Sequence, residues 1–257
     1  MKDPVVIVGM GEMAGVFARG FLRLGHPVYP VTRDMSLDTA ASELPTPALV
    51  LVAVGEADLH PVLEDMPTLW QERLGLLQNE LLPRDWHAHD LVDPTVISVW
   101  FEKKKGMDFK VLIPSPVFGP QAELIANALG ALDIPTNIVA SNEDMTYELV
   151  RKNVYILTTN IAGLEAGGTV SELWQNHEAL ARDVANDVMA IQAWLTNVDD
   201  VERDRLITGM LEAFDGDPDH GCMGRSAPAR LTRALELADK AGLEVPTLQR
   251  ISDAQSS

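Results

Sequence analysis

Val5-Val6-Ile7-Val8-Gly9-Met10-Gly11-Glu12-Met13-Ala14 sets four consecutive β-branched residues against a turn with two glycines. An apolar run of this kind reads as a strand of a parallel sheet buried on both faces. The turn has the Gly-x-Gly-x-x-Ala form of a dinucleotide fingerprint, in which each small residue has a physical task. Gly9 permits the tight turn, Gly11 lets a diphosphate approach the backbone, and Ala14 lets the following helix pack closely on the strand. With Met10, Glu12 and Met13 these residues form the expected cofactor-binding turn, because the first N–H groups of the helix face the anion.

Working outward, Ala14, Val16, Phe17, Phe21, Leu22 and Leu24 fit one face of a helix ending at Gly25, and Pro27 to Val31 reads as a second strand. The fingerprint therefore sits in a strand–helix–strand unit, the context it requires. At the end of the second strand stands Arg33, a cation suited to the 2′-phosphate of NADP, where an acid would select the ribose hydroxyl of NAD. NADP is the favoured cofactor. Asp34 directly follows and keeps NAD possible, and a solvated loop arginine is the plain alternative for Arg33.

Further along, Ala48 to Val54 is a buried strand ending at Gly55, after a polar connector from Arg33. Asp58 to Trp70 is expected as a helix broken near Pro67. Leu74 to Leu77 reads as a short strand delivering Gln78, Asn79 and Glu80 to the crevice at the carboxyl ends of the strands. Trp86 to Asp93 is expected as a polar loop. Thr95–Phe101 and Phe109–Ile113 are read as two strands of a hairpin at the sheet edge, with Lys103-Lys104-Lys105 at its tip. Those lysines could touch a phosphate; a charged tip that discourages edge pairing is the simpler reading. Gln121 to Leu132 is expected as a helix, and Asn137 to Val139 as a last short strand.

From Ser141 the pattern turns helical. Met145 to Leu164 follows a Ser141-x-x-Asp144 capping box; Gly167-Gly168 breaks the run; Val170 to Leu195, Val201 to Phe214 and Ala229 to Ala241 continue it, with a polar, frayed tail expected from Gln249. The fold expected is thus α/β: a Rossmann-type parallel sheet domain over 1–140, binding the dinucleotide, then an all-helical domain over 141–257 for substrate and dimerisation.

The chain has 257 residues with a formal net charge of −18, which argues against a nucleic acid or an anionic membrane as partner. A single cysteine, Cys222, excludes an internal disulfide. No apolar run has the length of a membrane span, and no signal peptide is read at the start, so a cytoplasmic location is expected.

Helical spacing puts Lys152, Ile156 and Asn160 on one face. A lysine so placed can donate a proton to the oxygen of a carbonyl that receives a hydride; a surface lysine beside Arg151 is the alternative. Arg225 and Arg230, in Gly224-Arg-Ser-Ala-Pro-Ala-Arg, could clamp a carboxylate or merely balance an acidic surface. His87-x-His89-Asp90 has metal-ligand residue types in what reads as a surface loop, and no metal site is expected. Cys222 near His220 lacks an orienting group for a nucleophile and is read as a packed residue.

The order Gly9-x-Gly11, Arg33, Gln78-Asn79, then Lys152 with Asn160 eight residues on, and a closing Gly242-Leu-Glu-Val245-Pro246, resembles the ketopantoate reductase family over most of the chain. The resemblance implies an N-terminal Rossmann domain, a helical C-terminal domain, a homodimer, and a small-molecule substrate. It implies Lys152 as the general acid, Asn79 as the residue orienting the nicotinamide ribose or substrate, and Asn160 as a substrate-binding group. The chain also departs from the family pattern. Ile156 stands where a second asparagine is usual, Gly55 where a lysine is typical, Cys222-Met223 where Ser-Met is found, and Ser226 where a substrate-binding glutamate falls. Altered substrate contacts on a kept cofactor side point to a reductase of another carbonyl compound. A non-catalytic NADP(H)-binding or sensor protein, and an imine-reducing or hydroxyacid dehydrogenase relative, are the alternatives.

Overall fold

The computed structural model describes residues 2–255 of the chain, so the last two serines of the expected tail lie outside the described residues. The chain divides into two compact units, 1–149 and 150–257.

The first unit is built on a seven-stranded sheet. Its strands are β1 (Val5–Val8), β2 (Val28–Val31), β3 (Leu49–Val52), β4 (Leu74–Leu76), β5 (Thr95–Ile97), β8 (Ser115–Phe118) and β9 (Thr136–Ile138), in the order β2-β1-β3-β4-β5-β8-β9. β1, β3 and β4 are wholly buried, as their unbroken Val/Leu/Ile runs require of strands covered on both faces. β2 through β5 pair in parallel, and the order reverses between β1 and β3, so a crevice opens at the carboxyl ends of those two strands. Helix α1 (Glu12–Arg23) turns Val16, Phe17 and Phe21 onto a core shared with α5 (Ala122–Gly130), where Ile125, Ala128 and Leu129 are buried.

Several elements differ from the expectation. The connector after Arg33 contains α2 (Leu37–Glu43), whose N-cap Ser36 accepts a hydrogen bond from Thr39 N at 3.3 Å. Asp58 to Trp70 holds only one turn-and-a-half of α-helix, α3 (Leu59–Glu64), between shorter 3₁₀ turns. The expected polar loop begins as α4 (Pro83–His87), with Trp86 buried against the core and Pro83 at the first helical position, where a missing N–H costs nothing. The hairpin is not an edge of the main sheet: β6 (Phe101–Lys103) and β7 (Phe109–Val111) form a separate two-stranded sheet. The chain leaves the main sheet after Ile97, and β8, unforeseen, takes the place beside β5 in antiparallel register.

The second unit is helical. Helix α6 (Asn142–Ala166) begins in the first unit, capped by Ser141 Oγ accepting from Asp144 N at 3.1 Å, and the division of the chain falls within it. α7 (Val170–Thr196), kinked at His177, is packed by α8 (Arg203–Gly216), α9 (Ala227–Ala241) and α10 (Pro246–Gln255). The tail expected to fray is α10: Leu248 and Ile251 are fully buried, and the Asp187 carboxylate accepts from Thr247 N at 2.8 Å and Leu248 N at 3.1 Å, satisfying donors at its first turn. Among the described residues no helix is long and apolar enough to cross a membrane.

Candidate active site

The crevice at the carboxyl ends of β1 and β3 has a volume of about 770 Å³ and is lined by Gly9, Met10 and Gly11 on one side and by Arg33, Gly55 and Asp58 on others. Gly9 has φ +89°, and a Cβ there would lie 2.8 Å from Val54 Cγ1 and 2.9 Å from the Ala53 carbonyl oxygen, so only glycine fits. Gly11 is the opposite case. A Cβ there would meet nothing within 4 Å, which leaves the backbone open to a ligand. Gly11 is also the N-cap of α1 and supplies no side-chain acceptor, so the N–H groups of the first turn are uncapped by it. Ala14 is fully buried against the core, as close packing of α1 demands. An opening, an unfilled cradle and uncapped donors together fit the diphosphate of a dinucleotide.

Glu12 heads α1, Met10 is exposed in the turn, and Met13 packs against the core. Arg33 has its side chain 92% exposed, and its guanidinium lies 3.8 Å from Asp58 Oδ2, a loose pair that leaves the cation able to meet a phosphate. Asn79 is exposed in the turn following β4. Its neighbour Gln78 is the residue that sequence reasoning did not resolve: it is 7% exposed and donates from Nε2 to the Val52 carbonyl at 2.7 Å and the Val54 carbonyl at 3.3 Å. Leu77 N donates in turn to Gln78 Oε1 at 3.1 Å. Gln78 therefore ties the ends of β3 and β4 together, a structural task, while Asn79 projects.

In the helical unit, α6 carries Lys152 and Asn160 two turns apart, both half-buried, with Ile156 buried between them. Arg230, on α9, is 9% exposed and donates from Nη1 to Asn160 Oδ1 at 2.9 Å. Loss of hydration, reinforced by the Arg230 guanidinium, lowers Lys152 from 10.5 to about 7. Lys152, Asn160 and Arg230 thus form one cluster. Arg225 and Ser226 lie one turn earlier and are exposed, Ser226 serving as the N-cap residue of α9. Of the two arginines the sequence offered, the buried one is Arg230, which lies on α9, while Arg225 precedes the helix.

Burial, with the Glu172 carboxylate nearby, pushes the Cys222 thiol up to about 11, the state of a packed residue and not of a nucleophile. His89 turns to a partner outside its own segment: its Nε2 lies 2.9 Å from Nδ1 of His60, on α3, whose Nε2 is 3.5 Å from Asp85 Oδ1.

No protein-family model and no curated protein matches the chain. Solved structures do. A 2-dehydropantoate 2-reductase from Methylococcus capsulatus superposes with TM-score 0.71 at 14% identity, over 98% of this chain and 96% of its own. A dimeric ketopantoate reductase from Staphylococcus aureus gives 0.61 at 18% identity over 97% and 96%, and a D-mandelate dehydrogenase bound to NADH and anilino(oxo)acetate gives 0.66 at 14% identity over 98% and 96%. At such identities the common property is the fold: this chain has the ketopantoate reductase fold along essentially its whole length.

Proposed function

We propose that this chain, built on the ketopantoate reductase fold, is an NADP-dependent oxidoreductase that reduces the carbonyl of a 2-keto acid-like substrate to the alcohol. The observation that carries the reading is the cluster of Lys152, Asn160 and Arg230, in which the ammonium is tuned to about 7. A general acid is most effective when its proton affinity lies near the working pH.

A reduced nicotinamide, when bound, supplies the hydride to the carbonyl carbon. The turn from Gly9 to Ala14 binds the diphosphate through backbone donors, and Arg33 meets the 2′-phosphate, which favours NADP; NADH beside the D-mandelate dehydrogenase keeps NAD as the competitor. Lys152 Nζ hydrogen-bonds the carbonyl oxygen and gives it a proton as negative charge develops there. Asn160 orients the substrate, its Oδ1 accepting from Arg230 and its Nδ2 donating to Thr159 Oγ1 at 3.5 Å, so that the amide plane is held in place. Asn79 orients the nicotinamide ribose or the substrate, and the guanidinium of Arg230 offers a fork for a substrate carboxylate, with the exposed Arg225 and Ser226 at its approach. A homodimer is proposed by analogy with the dimeric S. aureus protein.

The test is NADPH oxidation over a panel of 2-keto acids. Lys152→Ala should abolish turnover and leave NADPH affinity within about twofold; unchanged turnover rejects the role. Tight NADPH binding with no 2-keto acid accepted would favour a non-catalytic NADP(H)-binding protein on the same fold.

A further inference from the structure

The β6–β7 hairpin, set apart from the main sheet, lies along α1. The Phe101 ring is 6.0 Å from that of Phe17, and the Arg19 guanidinium stands over the Phe109 ring at 5.4 Å. This packing treats the three tip lysines differently. The Lys104 side chain is 62% exposed, as a charged tip would be, but that of Lys103 is only 17% exposed. Lys103 Nζ donates to Glu12 Oε2 at 3.0 Å and to the Lys104 carbonyl at 2.8 Å.

Glu12 is the first residue of α1, immediately after Gly11. A carboxylate at a helix start is favourable to the helix dipole. At this start it is also an anion beside the place a diphosphate must occupy, and two like charges a few ångströms apart repel by on the order of kilocalories in a partly dry crevice. An acid in that position is tolerable only if a cation accompanies it. Lys103 is that cation, and it comes from another element, 91 residues away in the chain. A cavity of about 460 Å³ on this flank of α1 is lined by Gly11, Glu12, Gly15, Arg19 and Lys103, so the ammonium borders open space as well as the carboxylate.

We propose that Lys103 is a diphosphate-binding residue: Glu12 holds its ammonium over the glycine turn, and the cofactor's diphosphate takes the place of that carboxylate on binding. The proposal rests on the dinucleotide reading of the crevice. It makes the hairpin a second jaw of the site, where the fingerprint turn alone would offer only backbone donors. A flexible ammonium can leave one oxyanion for another at little geometric cost, which a guanidinium locked in a fork does less readily.

The experiment is equilibrium binding of NADPH, followed by its fluorescence, with adenosine 2′-monophosphate as a competing probe that lacks the diphosphate. Lys103→Gln should weaken NADPH about tenfold, the loss of one charge-assisted contact, and leave adenosine 2′-monophosphate unchanged. Lys103→Arg should recover most of the affinity, and Glu12→Gln should tighten NADPH severalfold. NADPH binding by Lys103→Gln equal to wild type overturns the proposal, and so does an equal loss for both ligands, which would mean that Lys103 only holds the hairpin. Failure of the wild-type protein to bind NADPH or NADH at all would overturn the dinucleotide reading and the proposal with it, an outcome distinct from the other two because it appears before any substitution.

Discussion

Replacing Lys152 by methionine keeps an unbranched side chain one atom shorter and removes its charge, and the structure says what that should do to stability. The ammonium is lowered from 10.5 to about 7 by burial and by Arg230. Between those two values the unfolded chain carries the proton and the folded chain does not, so wild-type stability rises with pH across that window; below about 7 both states are charged and the folded state bears the full penalty. At about 1.4 kcal/mol per pH unit the ceiling is roughly 5 kcal/mol. Because part of the side chain keeps contact with water, about 2 kcal/mol is the expected size. Urea unfolding followed by far-UV circular dichroism, at about pH 6 and about pH 9.5, measures it as a difference of differences, so that the extra apolar burial of methionine cancels. The variant should gain about 2 kcal/mol on wild type at the lower pH relative to the higher. Parallel pH dependence of the two proteins would show a lysine of ordinary proton affinity, and the argument that the site tunes its acid would fail.

Other expectations follow from named contacts. Gly9→Ala forces a Cβ to within 2.8 Å of Val54 and should lower thermal stability by roughly 3 kcal/mol or more, whereas Gly11→Ala meets nothing in the fold, should unfold as wild type does, and should weaken NADPH. Calorimetry and a binding titration separate the two. For 2-keto acid reduction at saturating NADPH, kcat/KM should be level at low pH and fall as pH rises through about 7, since the protonated ammonium is the donor; a rise instead would make Lys152 a base. Asp187→Ala removes the acceptor for Thr247 N and Leu248 N and should cost about 1–2 kcal/mol, while Asp187→Asn, whose amide oxygen still accepts, should cost less by urea denaturation.

What was legible in the chain follows from the reach of its physics. β1 and β3 announce themselves because a strand buried on both faces needs an unbroken apolar run, and the long helices because a 3.6-residue stripe sustained over several turns has no other cause. β8 reads Ser-Pro-Val-Phe, with a proline and no alternation, and its place in the sheet is decided by Val96 and Ile97 across from it. α2 and α4, of seven and five residues, are too short for a period to show; a cap at Ser36 and a proline at Pro83 were their only signals. In the site, Lys152 and Asn160 are connected by helical spacing alone. Arg230 reaches Asn160 across 70 residues of chain, Lys103 reaches Glu12 across 91, and no local pattern encodes either. Gln78 was visible as a polar residue after a strand, but only the carbonyls of Val52 and Val54 show that it works for the sheet.

The departures from the ketopantoate reductase pattern become coherent when they are counted as charge. The resemblance leads one to expect a glutamate at Ser226 and an asparagine at Ile156; this chain has a serine and an isoleucine there, and a buried guanidinium at Arg230. A carboxylate beside an ammonium raises its proton affinity, and a guanidinium lowers it. Burial first, and the Arg230 guanidinium second, lower Lys152 to about 7. On the proposed reading an anionic substrate adds a negative charge beside these two cations. An anionic substrate lying against Arg230 restores the proton to Lys152 as it binds, whereas a neutral carbonyl compound does not. The fall with pH should then move upward in kcat relative to kcat/KM for a 2-keto acid, and stay in place for its amide. Coincident profiles for the acid and the amide would mean that the substrate's charge does not reach Lys152, and would overturn the carboxylate-binding role of Arg230.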